Sequence, residues 1–108
     1  MTEIEKAYAF LGLLRRGGRL VIGTESIEHS LKAGYGLVLG EEDSSTVTRL
    51  KTKALNAGCL LFEGASKESL GQAVGFEVIS AVLIADRKAT KSFDQKWNAA
   101  KGVQDEEK

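Results

Sequence analysis

Few residues of this chain have the types and spacing that catalysis needs. His29 is the single histidine and Cys59 the single cysteine among 108 residues, which excludes a metal site made of two histidines or of several cysteines. Cys59 opens an apolar segment and is interpreted as a small buried hydrophobic residue. The Gly-x-Gly-x-x-Gly and Walker patterns that bind phosphates are absent. We therefore expect no enzymatic activity, no catalytic residue, no metal and no cofactor.

An acidic run, Glu41-Glu42-Asp43, has the oxygen ligands that a hard cation prefers. Three adjacent side chains cannot all face one ion, so a solvated loop is the favoured interpretation. Cation binding stays open as the less favoured alternative.

The overall charge restricts the kinds of partner. Fifteen Lys and Arg residues balance fifteen Asp and Glu residues, so any contact with nucleic acid must come from a local patch rather than a basic surface. No apolar run approaches the roughly 20 residues that a membrane span needs. The first six residues are acidic and lack the apolar core of a signal peptide. A cytoplasmic monomer without membrane contact is expected.

Hydrophobic periodicity predicts five helices that alternate with four strands. The predicted strands are residues 19–22, 37–39, 59–62 and 78–85. The predicted helices are residues 2–15 and 24–33, one from a cap at 44–46 to Gly58, one between Ser66 and Gly75, and one after Asp86. This alternation predicts one α/β domain over residues 1–101, with helices on both faces of a largely parallel sheet. Residues 102–108 are predicted to be a polar tail.

Two separated segments have a more specific pattern. One runs from Leu11 through Arg15-Arg16-Gly17-Gly18-Arg19 to Gly34 and is followed by an apolar strand. The other is Ser66-Lys67-Glu68-Ser69-Leu70-Gly71-Gln72-Ala73-Val74-Gly75, again followed by an apolar strand. Together they resemble the superfamily of the archaeal and eukaryotic large-subunit ribosomal proteins seven-A and thirty, and most closely its small stand-alone bacterial members. The resemblance covers about residues 4–97. It implies a three-layer α/β/α sandwich around a four-stranded mixed sheet, and recognition of kink-turn RNA.

The resemblance also implies an RNA site at the start of the second helix. Gly23, before Thr24, has no Cβ and lets an RNA backbone approach the free N–H groups of that helix. The positions that match the family's Asn-Glu pair and its following Lys are Glu25, Ser26 and His29. All three depart from the family pattern. Glu25 repels phosphate, Ser26 is short, and His29 still donates but is only partly charged near neutral pH.

Other positions match the family pattern better. Lys67 occupies the basic position of its Ser-Lys-x-x-Leu-Gly motif, and Val78 and Ile79 lie in the segment that packs against a flipped-out base. Cations expected around this site are Arg15, Arg16, Arg19 and Lys32. The arginines have a second interpretation, because cations at a helix C-terminus offset its dipole. Lys67 likewise suits an ordinary surface position.

Three functional hypotheses follow from these residues. The leading one is a non-catalytic RNA-binding protein that engages structured RNA, expected to be ribosomal, with ribosomal proteins as further partners. The rival is a protein-interaction module of the same fold that has lost RNA binding. The weakest is a small enzyme that acts on an anionic ligand at the same helix N-terminus. The leading hypothesis requires that Arg15, Arg19, Lys32 and Lys67 converge on one surface.

Overall fold

A computed structural model describes residues 2–41 and 44–101, and the predicted polar tail lies outside them. Four strands form one mixed sheet in the order β1-β4-β2-β3. The strands are β1 (Leu20–Ile22), β2 (Gly36–Gly40), β3 (Leu60–Ala65) and β4 (Ala81–Ile84). β2 and β3 are parallel, whereas β4 is antiparallel to both of its neighbours, β1 and β2. β1, β2 and β3 therefore all run in one direction.

The helices form two layers on either side of this sheet. They are α1 (Glu3–Arg16), α2 (Thr24–Ser30) with a 3₁₀ turn over Leu31–Ala33, α3 (Ser45–Asn56), α4 (Lys67–Val74) and α5 (Arg87–Lys101). One face of the sheet is covered by α1, α4 and α5, and the other by α2 and α3. The three-layer sandwich with a mixed sheet is thus confirmed. None of the helices among the described residues is long and apolar enough to cross a membrane.

The prediction of a largely parallel sheet is wrong, because the chain turns back before β4. α4 ends at Gly75, whose left-handed backbone (φ 91°) favours glycine. Residues 76–80 then return beside α4, and the Ile79 amide donates to the Lys67 carbonyl at 3.1 Å. β4 consequently enters the sheet from the end at which β3 left it. It also starts later than predicted, at Ala81, so Val78 and Ile79 precede the strand.

Alternating side chains of the central strands fill the two cores. Val38 and Val82 face α1, α4 and α5, whereas Leu37 and Leu83 face α2 and α3. This is the period of two that a strand buried on both faces imposes. The first of these cores contains the aromatic residues Phe93 and Trp97, which stack at 5.5 Å between ring centroids.

The sandwich has two ends, which differ in the elements that meet there. At the helix-start end, β1, β2 and β3 finish and α2, α3 and α4 begin. At the strand-start end, β1, β2 and β3 begin and β4 finishes. Every loop therefore belongs to one end or the other, or, as residues 76–80 do, connects the two.

Gly12 sets the distance between α1 and α4. A Cβ added at Gly12 would lie 2.7 Å from the carbonyl oxygen of Ala73, and a backbone atom cannot move away as a side chain can. We expect Gly12→Ala to lower the free energy of unfolding by about 1–3 kcal/mol, although alanine is the better helix former. Urea unfolding measures the change.

Gly17→Ala is the matched control. Gly17 has a φ of −86°, and the nearest atom to an added Cβ is 3.6 Å away. The free energy of unfolding of this variant should be at least that of the wild type, with an expected gain of about 0.4–1 kcal/mol. A Gly12→Ala protein as stable as the Gly17→Ala protein would contradict the close approach of the two helices.

Candidate functional site

The start of α2 lies at the helix-start end, beside the entry to β4. Ile22 pairs with Val82, so the next residue, Gly23, is adjacent to Ala81. Gly23 has a φ of 98°, a conformation that glycine adopts without strain. No side chain caps α2, so backbone N–H groups of its first turn remain available to a ligand.

The side chains of this first turn face solvent to different degrees. Glu25 and Ser26 are exposed and Thr24 is half-buried, while Ile27 is fully buried in the core. Burial of Ile27 sets the orientation of the helix, so residues 25 and 26 point outward. His29, one turn further on, is also exposed.

Lys67 and residues 78–80 are joined at the same end by backbone contacts. In addition to the Ile79–Lys67 bond, the Gly40 amide donates to the Ser80 carbonyl at 2.7 Å. A Cβ added at Gly40 would lie 2.7 Å from Cγ of Lys67, so the stem of this lysine packs against the end of β2. Ile79 is buried, whereas Val78 is 48% exposed. Ile79 thus anchors the segment and Val78 presents an apolar side chain to solvent.

Gly71 determines how closely this segment follows α4. An added Cβ would lie 2.9 Å from the carbonyl oxygens of Phe76 and Glu77, and the Phe76 amide donates to the Gly71 carbonyl at 2.7 Å. The motif that carries the family resemblance contains this glycine, but its part in positioning Val78 is visible only in the tertiary structure.

Four of the cations expected at the site lie elsewhere. Arg15, Arg16 and Arg19 flank the turn between α1 and β1, and Lys32 lies just before β2, so all four belong to the strand-start end. Lys67 lies at the helix-start end. The predicted convergence of these cations with Lys67 is therefore wrong. The length of the helices separates Lys67 from the other cations, which the sequence-based prediction places beside it.

Arg15 and Arg19 each contact another part of the fold. The Arg15 guanidinium donates to the Val74 carbonyl and lies 5.1 Å from the centre of the Phe76 ring. It thereby joins the end of α1 to the end of α4. Arg19 forms an ion pair of 3.7 Å with Asp86. The alternative interpretation of Arg15, as a helix-end cation, agrees with these contacts.

The balanced net charge conceals an uneven distribution. Four of the five arginines lie at the strand-start end: Arg15, Arg16, Arg19 and Arg87. Carboxylates gather at the helix-start end: Glu25, Glu41, Glu63 and Glu68. Of these, Glu63 pairs with Lys51 at 3.2 Å. Acids near helix starts and cations near helix ends complement the helix dipoles. The candidate RNA site therefore occupies the more acidic end.

Glu28 is a positioning residue that the sequence did not reveal. Its carboxylate accepts hydrogen bonds from Lys53 and from Nε of Arg49 at 3.1 Å, both on α3. The Lys53 contact, followed by that of Arg49, lowers the pKa of the Glu28 carboxyl below its usual value of 4.5. These pairs hold α2 against α3. Their partners are 21 and 25 residues distant, so no local pattern indicates them.

The remaining groups that could take part in chemistry are Cys59 and the carboxylates. Cys59 is buried, with Sγ 3.6 Å from the Gly34 carbonyl, and burial raises the pKa of its thiol. Its interpretation as a small core residue is confirmed. Across residues 2–41 and 44–101, no group of three His, Cys, Asp or Glu side chains could hold a metal ion. Glu42 and Asp43, from the acidic run, fall outside those ranges.

Comparison with known proteins supports the fold. No family model matches the chain, and a search of curated proteins finds no match either. A solved structure of a protein of unknown function from Bacillus halodurans superimposes with a TM-score of 0.80 at 18% sequence identity. The match covers 86% of this chain and 97% of that one. At this identity the similarity establishes the shared architecture alone.

Replacement of Glu28 tests whether charge holds α2 in place. The pKa of Glu28 is lower in the folded chain than in the unfolded chain, so the pairing stabilises the fold above pH 4.5. That stabilisation is lost as the pH falls through the folded-state pKa. We expect the urea midpoint of Glu28→Gln to be lower than that of the wild type at pH 7. Well below pH 4.5, the midpoints of the two proteins should be equal.

Glu77→Gln is the control, because Glu77 is exposed and forms no ion pair within the described parts of the chain. Its urea midpoint should follow the wild type at both pH values. A loss in Glu28→Gln that persists unchanged in acid would indicate that shape, rather than charge, accounts for the effect.

Proposed function

We propose that this chain is a non-catalytic RNA-binding protein, ribosome-associated, that recognises structured, kink-turn-like RNA at its helix-start end. One observation supports this most directly. The first turn of α2, Lys67 and Val78 lie at one end of the sheet, where backbone hydrogen bonds join Ile79 to Lys67 and Gly40 to Ser80.

Each part of this surface suits a different part of a bent RNA. The uncapped start of α2 offers N–H donors to phosphate or base-edge oxygens, and Gly23 leaves room for the approach. Lys67 can neutralise a phosphate. The exposed side chain of Val78 can cover the face of an unstacked base, which favours an apolar surface.

The four cations that the sequence-based hypothesis required on one surface do not converge there, so the proposal rests instead on the uncapped start of α2, Lys67 and Val78. Glu25 and Glu41 repel phosphates, and Arg15, Arg19 and Lys32 are too far along the sandwich to compensate. Recognition must therefore depend on hydrogen bonds and base contacts more than on phosphate neutralisation. The salt dependence should correspond to only about one or two phosphates.

The second candidate function is docking to another protein. The same uneven charge favours it, because an exposed Val78 near several carboxylates fits a basic, partly apolar protein segment. Ribosomal proteins are the partners to test first. Such a protein would be purified free of RNA and would show the ultraviolet absorbance ratio of protein alone.

Lys67→Gln tests the RNA proposal. We expect wild type to bind a kink-turn RNA at low salt more tightly than an unkinked duplex of equal length. Lys67→Gln should weaken that binding several-fold and reduce its salt slope by about one, because one phosphate contact is lost. Fluorescence anisotropy at several salt concentrations measures both quantities.

Lys32→Gln provides a control with the same change in charge at the strand-start end, and it should bind the kink-turn RNA as wild type does. The RNA proposal fails if wild type binds the unkinked duplex equally well. It also fails if Lys67→Gln and Lys32→Gln are indistinguishable, and the protein-docking function then becomes the better account.

A further inference from the structure

A second surface, at the strand-start end, contains exposed apolar side chains beside cations. A cavity of about 240 Å³ is lined by Tyr35, Gly58, Leu60, Arg87, Thr90 and Lys91. We refer to it as the Tyr35 cavity. Tyr35 is 39% exposed and Leu60 is 48% exposed, so two large apolar side chains face solvent side by side. No residue of the candidate site at the helix-start end contributes to it.

Backbone hydrogen bonds hold the floor of the Tyr35 cavity. The Tyr35 amide donates to the Ile84 carbonyl at 2.9 Å, and the Tyr35 carbonyl accepts from the Leu60 amide at 3.0 Å. Tyr35 is therefore held between β4 and β3 as an extension of the sheet. A ring on such a fixed backbone loses little freedom when a ligand stacks on it. Gly58 leaves one side open, since nothing lies within 4 Å of its Cβ direction.

The charge of the Tyr35 cavity is positive. Arg87 lies over the Tyr35 ring, with 5.6 Å between the guanidinium carbon and the ring centre. Lys91 follows one helical turn later on α5. Neither cation forms an ion pair with any carboxylate in residues 2–41 and 44–101. The nearby Asp86 is already engaged, because it caps the Ala89 amide at 2.8 Å and pairs with Arg19.

The cations in the first turn of α5 interact unfavourably with the dipole of that helix. Apart from the capping Asp86, the start of α5 is basic: its first turn contains Arg87 and Lys88 and no acidic residue, although a helix N-terminus carries partial positive charge and favours acids. α1 shows the stabilising arrangement, with Glu3 and Glu5 in its first turn. Helix dipoles therefore explain Arg15 and Arg16 at the end of α1, but they do not explain the cations that start α5.

We propose that the Tyr35 cavity binds single-stranded RNA, with a base stacked on Tyr35 or on the Arg87 guanidinium and the adjoining phosphates held by Arg87 and Lys91. Aromatic rings beside cations are the usual platform for unpaired nucleotides, because bases stack and phosphates pair. A free phosphate would use the cations but leave the exposed ring and Leu60 without a role. The choice of RNA rests on the proposed function, whereas the surface itself is separate from the helix-start end.

The test uses a fluorescent oligouridylate of ten nucleotides and the intact protein. We expect Tyr35→Leu, which keeps an apolar side chain and removes the ring, to weaken binding about tenfold. Tyr35→Phe, which keeps the ring, should bind with wild-type affinity. Arg87→Gln should weaken binding and reduce the salt slope by about 0.7, the value for one phosphate on a single strand.

Crossed measurements separate this proposal from the proposed function. Lys67→Gln should leave oligouridylate binding unchanged, and Tyr35→Leu should leave kink-turn binding unchanged. Failure of kink-turn binding alone removes the helix-start site, and failure of oligouridylate binding alone removes the Tyr35 cavity. Equal oligouridylate affinity of wild type and Tyr35→Leu, or tighter binding of the matching oligodeoxythymidylate, would overturn the assignment to RNA. Self-association that Tyr35→Leu abolishes would do so as well, since the cavity would then be an interface between two copies.

Discussion

The return of the chain alongside α4 is the constraint on which the rest of the sandwich depends. Gly71 has no side chain, so residues 76 and 77 can lie directly against the helix. The Ile79–Lys67 hydrogen bond then fixes where the returning segment ends. β4 therefore enters the centre of the sheet antiparallel to β1 and β2. One close backbone contact thus decides the direction of the central strand and the place of Val78 beside Lys67.

This topology also divides the molecule into two chemically different ends. Because β1, β2 and β3 run in one direction, the helices that follow them all start at one end. Helix dipoles favour carboxylates there and cations at the other end. The protein is neutral as a whole yet polarised along its strands, so net charge is a poor guide to its partners. A polyanion meets a more favourable surface at Arg87 and Lys91 than at Glu25.

Much of the fold could be predicted because its signals are local. The capping box of Thr2 and Glu5, the cap at Ser44 and the apolar periodicities each depend on residues a few positions apart. The direction of β4 was not predictable in this way, since the chain could equally have crossed over to a parallel strand. The placement of the candidate site was predictable in part: Gly23 and Lys67 follow the ends of β1 and β3, which point the same way, whereas Val78 reaches that end only because the chain turns back before β4. The pairing of Glu28 with α3 and the exposure of Tyr35 were missed, because both depend on residues more than 20 positions apart.

The sequence by itself determined the succession of helices and strands and the buried character of Cys59. Hydrophobic period, helix caps and residue type are sufficient for these, as each acts over one or two turns of chain. Tertiary structure alone decided which cations share a surface. The Arg15, Arg19 and Lys32 side chains were separated from Lys67 by the length of the sandwich. Electrostatic attraction acts through space, and the distances that govern it exist only once the strands have paired.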